Sequence, residues 1–305
     1  MMSAHAAGFP VHSLRIVVPS TPGGALDLLA RVVAPALAEK WQQQIVIDNR
    51  AGAGGIIGTE IVARATADGY TLLLVAPGFA TNPFLNRNLP YDTAREFTPI
   101  IMIAMSANAL VAHPSLPVRS VKELIALAKE QPGLLNYASS GSGSTGHLCM
   151  ELLKRMASIN LVHVPYKGAG ATTAAIVAGQ TPLLFTAVGA VIQHVRANRL
   201  RALAVAGAKR AAPMPEVPTI AEAGVAGYAV DNWYALMGPN NMPTALVAMI
   251  NFDILAVLKK PEVSSRIADL GFEVAGLSPH DTGKYIDKEM KTWSVVINEA
   301  KIHSD

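Results

Sequence analysis

The stretch "NYASSGSGSTGHLCMELL", residues 136–153, passes from an apolar run through small polar residues into a segment with helical periodicity. This pattern predicts a buried strand, a flexible-backbone loop and a helix that begins near residue 144. Gly141, Gly143 and Gly146 have the spacing G-x-G-x-x-G, which is the dinucleotide-binding fingerprint. Glycine tolerates unusual φ values and lets a bound group approach the backbone. The loop is therefore a candidate ligand-binding loop.

A second unit of the same design lies near the beginning of the chain, in "RIVVPSTPGGALDLLARVVAPAL", residues 15–37. It also ends an apolar strand, passes through Ser, Thr, Pro and Gly, and opens a helix. In α/β sheets such loops lie at the carboxyl ends of the strands, where ligands bind. Two matched loops about 120 residues apart predict two half-sites on two sheets that face one cleft.

Short apolar runs alternate with helical segments over residues 14–205, which predicts α/β sheets with a largely parallel arrangement. The predicted strands are LRIVV, QIVID, YTLLLV, NALVA, LLNYA, LVHV, TPLLF and RALAV, and the predicted helices between them are 24–40, 120–130, 144–157 and 168–178. After "YAVDNWYALMG" mainly helices are expected, at about 243–258, 262–270 and 279–299. The run "PIIMIAMSANALVAHP" is too short and too interrupted for a membrane span, and we interpret it as two buried strands.

Bulk composition narrows the class of protein. The 305 residues are enough for two domains, and 51% hydrophobic with 15% charged residues fits a compact chain. A net charge of +3 without a basic run argues against nucleic-acid binding. The lone Cys149 excludes an intramolecular disulfide and favours core packing over a reactive thiol. The eight histidines show no metal-ligand spacing, and no cofactor is expected.

The 141–146 loop fits several kinds of ligand or reaction, and the surrounding sequence distinguishes between them. Dinucleotide binding needs an acidic residue at the end of the next strand, but "NLVHVPYKG" has none. Ser142 and Ser144 lack the G-x-S-x-G context of a hydrolase nucleophile. A helix N-terminus attracts anions, so a carboxylate or a similar small anion remains the favoured ligand. Two structural alternatives stay open: Asp27 and Ser144 cap their helices, and His147 bonds its own loop instead of a ligand.

The N-terminal "MMSAHAAGFPVHS" lacks the charged and apolar regions of a signal peptide, although Ala4-His5-Ala6 has the small-x-small form of a cleavage site. An exported protein with a removed signal and a cytosolic protein both fit this start.

The order of several blocks closely resembles the Bug-type receptors of tripartite tricarboxylate transporters. The blocks run from about Phe9 to the end of the chain and are LRIVVPSTPGGALD, DNRAGAGGIIG, ADGYTLLL, LPYD, FTPI, HPSLP, LNYASSGSGSTGHL, HVPYKG, LRALAV and VPTIAEAG. The resemblance implies a type II periplasmic-binding-protein (Venus flytrap) fold, with domain 1 formed by 1–103 plus 229–305 and domain 2 by 104–228. A ligand cleft is expected between them.

The family resemblance also implies a function. Such receptors bind a carboxylated solute in the periplasm and deliver it to membrane permease subunits; they are not enzymes, and a monomer is expected. The residues expected at the ligand, with no metal and no nucleic acid, are Pro19, Ser20, Thr21, Gly23, Gly24, Gly78, Asn82, Ser139, Ser140, Gly141, Ser142, Ser144, Thr145, His147, Tyr166, Lys167, Gly168, Thr186, Ala187 and Trp233.

Departures from the family pattern bear on the ligand. Phe185-Thr186 stands where many members have Phe-Asp, which argues against an amino-acid ligand and for an aromatic, aliphatic or dicarboxylic acid. "GPNNMPTALV" replaces the usual glycine-threonine turn. Trp233 is expected either in the pocket or in the core. A sensor of the same fold and a nucleotide-binding enzyme that uses the 141–146 loop remain as alternatives.

Overall fold

Strands and helices alternate along the chain in the computed structural model, which describes residues 8–86 and 88–302. The predicted Ala4-His5-Ala6 cleavage motif lies outside the described residues. The strands are β1 Leu14–Val18, β2 Ile45–Asn49, β3 Thr71–Val75, β4 Phe97–Ala112, β5 Asn136–Ser139, β6 Val162–Pro165, β7 Leu183–Ala187, β8 Arg201–Val205, β9 Asp231–Pro239 and β10 Glu273–Leu277. The helices are α1 Ala25–Trp41, α2 Ile56–Ala63, α3 Gly78–Leu85, α4 Val121–Glu130, α5 Thr145–Ala157, α6 Ala169–Val177, α7 Val188–Arg196, α8 Thr244–Leu258, α9 Pro261–Asp269 and α10 Pro279–Glu299.

The chain divides into two units. Unit 1 contains the described residues up to Met105 together with Trp233–Thr292, and unit 2 contains Ser106–Asn232 and the described residues from Trp293 onward. The domains expected from the sequence, 1–103 with 229–305 and 104–228, remain a prediction, and the residues from Trp293 onward pack with unit 2 here.

Unit 1 is built around three parallel strands, with antiparallel pairings beside them. β1 pairs in parallel with β2 and β3, and β3 pairs antiparallel with β9. The start of β4 pairs antiparallel with β10. Apolar side chains of α1, α8 and α9 cover one face of this sheet, and those of α2, α3 and α10 cover the other. Residues 72–75 of β3 are therefore buried throughout. The loops after β1, β2 and β3 consequently leave the sheet at the same edge.

Unit 2 repeats this arrangement with its own strands. β5 pairs in parallel with β6 and β7, whereas the second part of β4 pairs antiparallel with β7 and β8. Ala109, Val111, Ala138 and Leu184 form a core with residues of α6 and α7. The loops after β5, β6 and β7 therefore also share one edge.

Three differences from the predicted elements have local causes. The segment expected to form two strands is the single 16-residue strand β4, because Ser106 and Asn108 stay in the extended pattern and neither Gly nor Pro interrupts it after Pro99. Strand β10 lies among the C-terminal helices, and "DNWYALMGP" forms β9. Helices α2 and α3 were not predicted, because their short, evenly apolar sequences lack a clear helical period. Helix α7 was not predicted either, although its sequence is amphipathic.

Within the described residues, no helix combines the length and the apolar character that crossing a bilayer requires.

Candidate ligand-binding site

Asp27 shapes the loop between β1 and α1 in unit 1. Gly24 is the N-cap of α1, and the Gly23 N–H donates to Asp27 Oδ2 over 2.9 Å. Arg31 Nε donates to the same oxygen over 2.9 Å, and this bond is the main reason why the pKa of the buried Asp27 lies below its usual value. An ionised carboxylate thus holds the loop from beneath, and the Gly23 amide is used within the chain.

The remaining hydrogen-bond donors of the loop between β1 and α1 are partly used within the loop and partly unpaired. The Gly24 N–H donates to the Thr21 carbonyl over 3.3 Å, so this amide is also used within the loop. In the described part of the chain nothing accepts the amide proton of Thr21, or those of Ala25 and Leu26 in the first turn of α1. Ser20 Oγ is buried without a hydrogen-bond partner there. These groups, and not the glycine amides, are the free donors of the loop.

A small cavity of unit 1 joins this loop to two other loops at the same sheet edge. It has a volume of about 60 Å³, room for one or two waters. Its lining includes three residues expected from the sequence and several that were missed, namely Pro19, Gly78 and Asn82 with Leu26, Gly54, Gly55, Thr59, Val75, Ala76 and Phe79. Asn82 Nδ2 donates to the Gly54 carbonyl over 3.1 Å, which ties α3 to the loop after β2.

The loop after β2, at residues 50–55, has an unusual backbone conformation. Gly52, Ala53, Gly54 and Gly55 all have positive φ, at 131°, 46°, 63° and 92°. A run of four such residues needs glycine at most positions, and "AGAGG" supplies them. The glycine-rich run therefore marks a third loop at this edge of the unit 1 sheet.

In unit 2, close packing against β7 requires glycine at position 146, in the first turn of α5. A Cβ at Gly146 would lie 2.4 Å from the Phe185 carbonyl oxygen of β7, which is closer than side chains approach a backbone oxygen. Gly141 and Gly143 instead have positive φ values of 134° and 73°. The G-x-G-x-x-G spacing thus serves loop conformation and helix-on-strand packing in this chain.

Ser139 and His147 hold the loop from inside unit 2. Ser139 Oγ lies 2.6 Å from His163 Nε2 and accepts from the Gly141 N–H over 3.2 Å. His147 Nδ1 accepts from the Gly143 N–H over 3.0 Å, and Ser144 is the N-cap whose Oγ accepts from the His147 N–H over 3.5 Å. The structure therefore shows the alternative in which His147 bonds its own loop and Ser144 caps α5.

His147 belongs to a buried polar cluster with Tyr137, Glu151, Lys154 and His163. The rings of His147 and His163 stack at 3.8 Å, and Glu151 Oε1 accepts from the Tyr137 hydroxyl over 2.5 Å and from Lys154 Nζ over 2.6 Å. Burial and then the neighbouring His163 lower the pKa of His147 to about 4. The neutral ring accepts at Nδ1, so its proton is on Nε2, which faces Glu151 Oε1 at 3.9 Å.

The helix N-terminus at the end of this loop keeps free donors. Within the described residues no group accepts the amide protons of Ser142, Thr145 and Gly146. α5 is 13 residues long, and its dipole adds partial positive charge at these amides. Unit 2 therefore has three unpaired main-chain donors in this loop and in the first turn of α5, which suit a carboxylate oxygen.

The remaining expected residues of unit 2 border the same sheet edge. The Tyr166 N–H donates to the Ser139 carbonyl over 2.8 Å, and the Gly168 N–H donates to the Ser140 carbonyl over 3.3 Å. Thr186 and Ala187 end β7 and are half-buried. The loops after β5, β6 and β7 thus bring together the positions predicted from "SSGSGSTGH", "YKG" and "FTA".

Trp233 lies in the core of unit 1. Its side chain is fully buried among Val17, Leu73 and Phe79, and its Nε1–H donates to Glu289 Oε2 over 3.3 Å. Of the two roles left open for Trp233, the structure shows the core role. Cys149 is likewise fully buried, which confirms its packing role.

The groups that the two loops present are suited to binding an anion. Across residues 8–86 and 88–302 no three His, Cys, Asp or Glu side chains group as metal ligands would. Ser142 and Ser144 have no histidine placed as a base, because His147 already accepts the Gly143 amide. Main-chain amides and hydroxyls of this kind can orient an anion.

Comparison with known proteins agrees with this geometry. The family model described as "Tripartite tricarboxylate transporter family receptor" matches residues 29–302. Protein BugT of Bordetella pertussis is 34% identical over 295 residues, which cover 95% of this chain and 90% of BugT. The solved structure of R. palustris Rpa4515 with adipate is 38% identical, with a TM-score of 0.81 and coverage of 97% of this chain and 100% of that one. MatC from Rhodopseudomonas palustris with bound malate is 29% identical, with a TM-score of 0.77 and coverage of 95% and 100%.

These structures match nearly the whole chain, which confirms the predicted α/β fold of the two-domain periplasmic binding proteins. The resemblance seen in the sequence blocks is confirmed as well. The chain therefore belongs to the family of receptors of tripartite tricarboxylate transporters.

Proposed function

We propose that this protein is a periplasmic receptor that binds a small organic carboxylate and delivers it to membrane permease subunits. The observation that carries the proposal is the set of unpaired amides at Ser142, in the loop after β5, and at Thr145 and Gly146, in the first turn of α5. Such a set binds a carboxylate through fixed donors and a favourable dipole. Relatives whose structures hold adipate and malate support a carboxylate as the ligand class.

In this proposal the ligand lies between the two domains and contacts one loop of each. The unit 1 loop would contribute Ser20 and the free amide of Thr21, and the unit 2 loop would contribute Ser140, Ser142 and Thr145. Thr186 and Ala187 carry no charge, so the far end of the ligand would be aliphatic, aromatic or a second carboxylate held by hydroxyls and water. Binding would close the domains, provided that the ligand prefers the closed state.

The same proposal includes the cellular role. The protein would act as a monomer in the periplasm, without enzymatic activity, and pass its ligand to the permease. Uptake of labelled adipate or malate by cells that lack and then regain the gene would test this role. Unchanged uptake would contradict delivery, whereas ligand binding would be judged separately in vitro.

Calorimetric titration with adipate, malate and the neutral diol 1,6-hexanediol tests the ligand class directly. We expect at least one acid to bind and the diol to fail, because only a carboxylate matches the donors. Ser140→Asp should weaken acid binding at least about 100-fold, since a like charge at the loop costs several kcal/mol. Ser265→Asp, on the exposed side of α9, should bind normally. Retained affinity in Ser140→Asp would rule out this loop as the carboxylate site.

A further inference from the structure

A shallow groove crosses the surface of unit 2 between α6 and α7. It has a volume of about 670 Å³ and a mostly apolar lining. One side is a stripe of α6, formed by Ala169, Gly170, Thr173, Ala174, Val177 and Ala178. The other side is formed by Ala190 and His194 of α7 and by Arg199. The stripe spans nine helical rises, or about 14 Å.

Small residues on this stripe leave room for another backbone. Gly170, Ala174 and Ala178 follow one another at a spacing of four, and all three are exposed. A Cβ at Gly170 would meet no atom within 4 Å, so packing inside the chain does not require glycine there. An exposed glycine destabilises a helix relative to alanine. Small side chains at such spacing allow a second helix to pack closely.

The groove is also bordered by cations that have no acidic partner. Residues 152–215 contain eight Lys or Arg residues and no Asp or Glu. Lys167, Arg196 and Arg199 are exposed, and no carboxylate of the described chain forms an ion pair with them. Lys167 lies two residues before the start of α6, whereas Arg196 is the last residue of α7 and Arg199 follows that helix. The apolar groove thus lies in a surface that is positive at both of its ends.

We propose that this groove binds a helical segment of the transporter's membrane subunits, with small apolar side chains on one face and Asp or Glu along its edges. The inference rests on the proposed delivery function for the identity of the partner. The apolar stripe would bury the small side chains of that helix, and Arg196, Arg199 and His194 would pair with its carboxylates. Such charge complementarity speeds encounter and fixes the register of binding.

A protein helix fits this surface better than an anionic membrane does. Peripheral membrane binding needs exposed Trp, Phe or Leu side chains that enter the lipid. The large apolar side chains exposed in the described chain lie elsewhere, and none falls between Val162 and Phe252. A concave groove lined by alanine and glycine can instead bury the narrow apolar face of a helix.

Binding of the receptor to the membrane subunits in lipid nanodiscs tests the proposal. Ala174→Glu adds a larger side chain to the groove, and its negative charge would repel the carboxylates of the partner helix. We expect this variant to dock at least about tenfold more weakly. Ala126→Glu, on the exposed face of α4, is the matched control and should dock within about twofold of wild type. Arg196→Glu with Arg199→Glu should weaken docking and flatten its salt dependence. Thermal shift with adipate checks that each variant still folds and binds ligand.

Equal docking of the Ala174→Glu and Ala126→Glu variants would overturn the groove as the interface. If wild-type receptor binds empty nanodiscs with 30% anionic lipid as well as it binds loaded ones, the surface binds lipid instead of a protein helix. If wild-type receptor does not dock to the membrane subunits, the proposal is also refuted. If no carboxylate binds while docking still depends on Ala174, the proposed ligand class fails and the docking surface stands.

Discussion

Gly146 and Gly170 occupy the same place, the second residue of a helix, yet the structure predicts opposite effects of alanine. At Gly146 the new Cβ would lie 2.4 Å from the Phe185 carbonyl oxygen, so α5 must move away from β7 by roughly 1 Å to reach ordinary contact. Overpacking of this kind costs about 1–3 kcal/mol, and helix propensity returns only a part of it. At Gly170 nothing lies within 4 Å, and alanine should stabilise by about 0.5 kcal/mol.

We therefore expect Gly146→Ala to lower the free energy of unfolding by about 2 kcal/mol, which corresponds to a Tm lower by about 4–8 °C for a unit of this size. Gly170→Ala should raise the Tm by about 1–2 °C. Both residues lie in unit 2, so the same unfolding transition, followed by circular dichroism on heating and in urea, reports both. Gly146→Ala should also weaken adipate binding, because the free amides of the first turn move with the helix. A Gly146→Ala protein that melts with wild type, or a Gly170→Ala protein that loses as much stability, would refute the reasoning.

Two further predictions concern the groups that hold the loops. The pKa of His147 in the folded protein, about 4, lies below its ordinary value of 6.5. The contribution of this group to the free energy of unfolding is therefore fully present above pH 6.5. It is lost as the pH falls toward 4, by about 3 kcal/mol in total. His147→Gln should remove this part of the pH dependence in urea titrations while the exposed His280→Gln keeps it; parallel slopes would contradict the assignment. Asp27→Ala should cost about 2 kcal/mol and weaken acid binding, because the Gly23 amide loses its charged acceptor. The half-exposed Arg31→Ala should cost less than about 1 kcal/mol, and an equal loss in both variants would show that the ion pair, not the amide bond, holds the loop.

The parts of the fold that depend on nearby residues could be predicted from the sequence. Helix α1 and its loop follow from an apolar period next to Pro22, Gly23 and Gly24, and α5 follows from the same kind of pattern. The undivided strand β4 could not be anticipated, because Ser106 and Asn108 have the polarity of a turn while their neighbours hold them in the ladder. Short helices such as α3, which contains Pro83, carry too little period to be recognised.

The positions of the site loops were predictable, but the partners of their side chains were not. His147 meets Gly143 four residues away, which local geometry suggests, but its stacking on His163 depends on the pairing of β5 with β6. The reason for Gly146 lies in a carbonyl 39 residues later in the chain. Gly54 and Gly55 were missed because a glycine run signals a turn without indicating which cavity it lines.

The burial of the single thiol, Cys149, has a practical consequence for labelling the protein. Cys149 is fully buried, and its carbonyl accepts from the Tyr228 hydroxyl over 2.9 Å in the core of unit 2. A maleimide dye added to the native protein should therefore react slowly, and a cysteine introduced at an exposed position such as Ala126 would take the label alone. The receptor can be turned into a fluorescent reporter for carboxylates without first deleting its native cysteine.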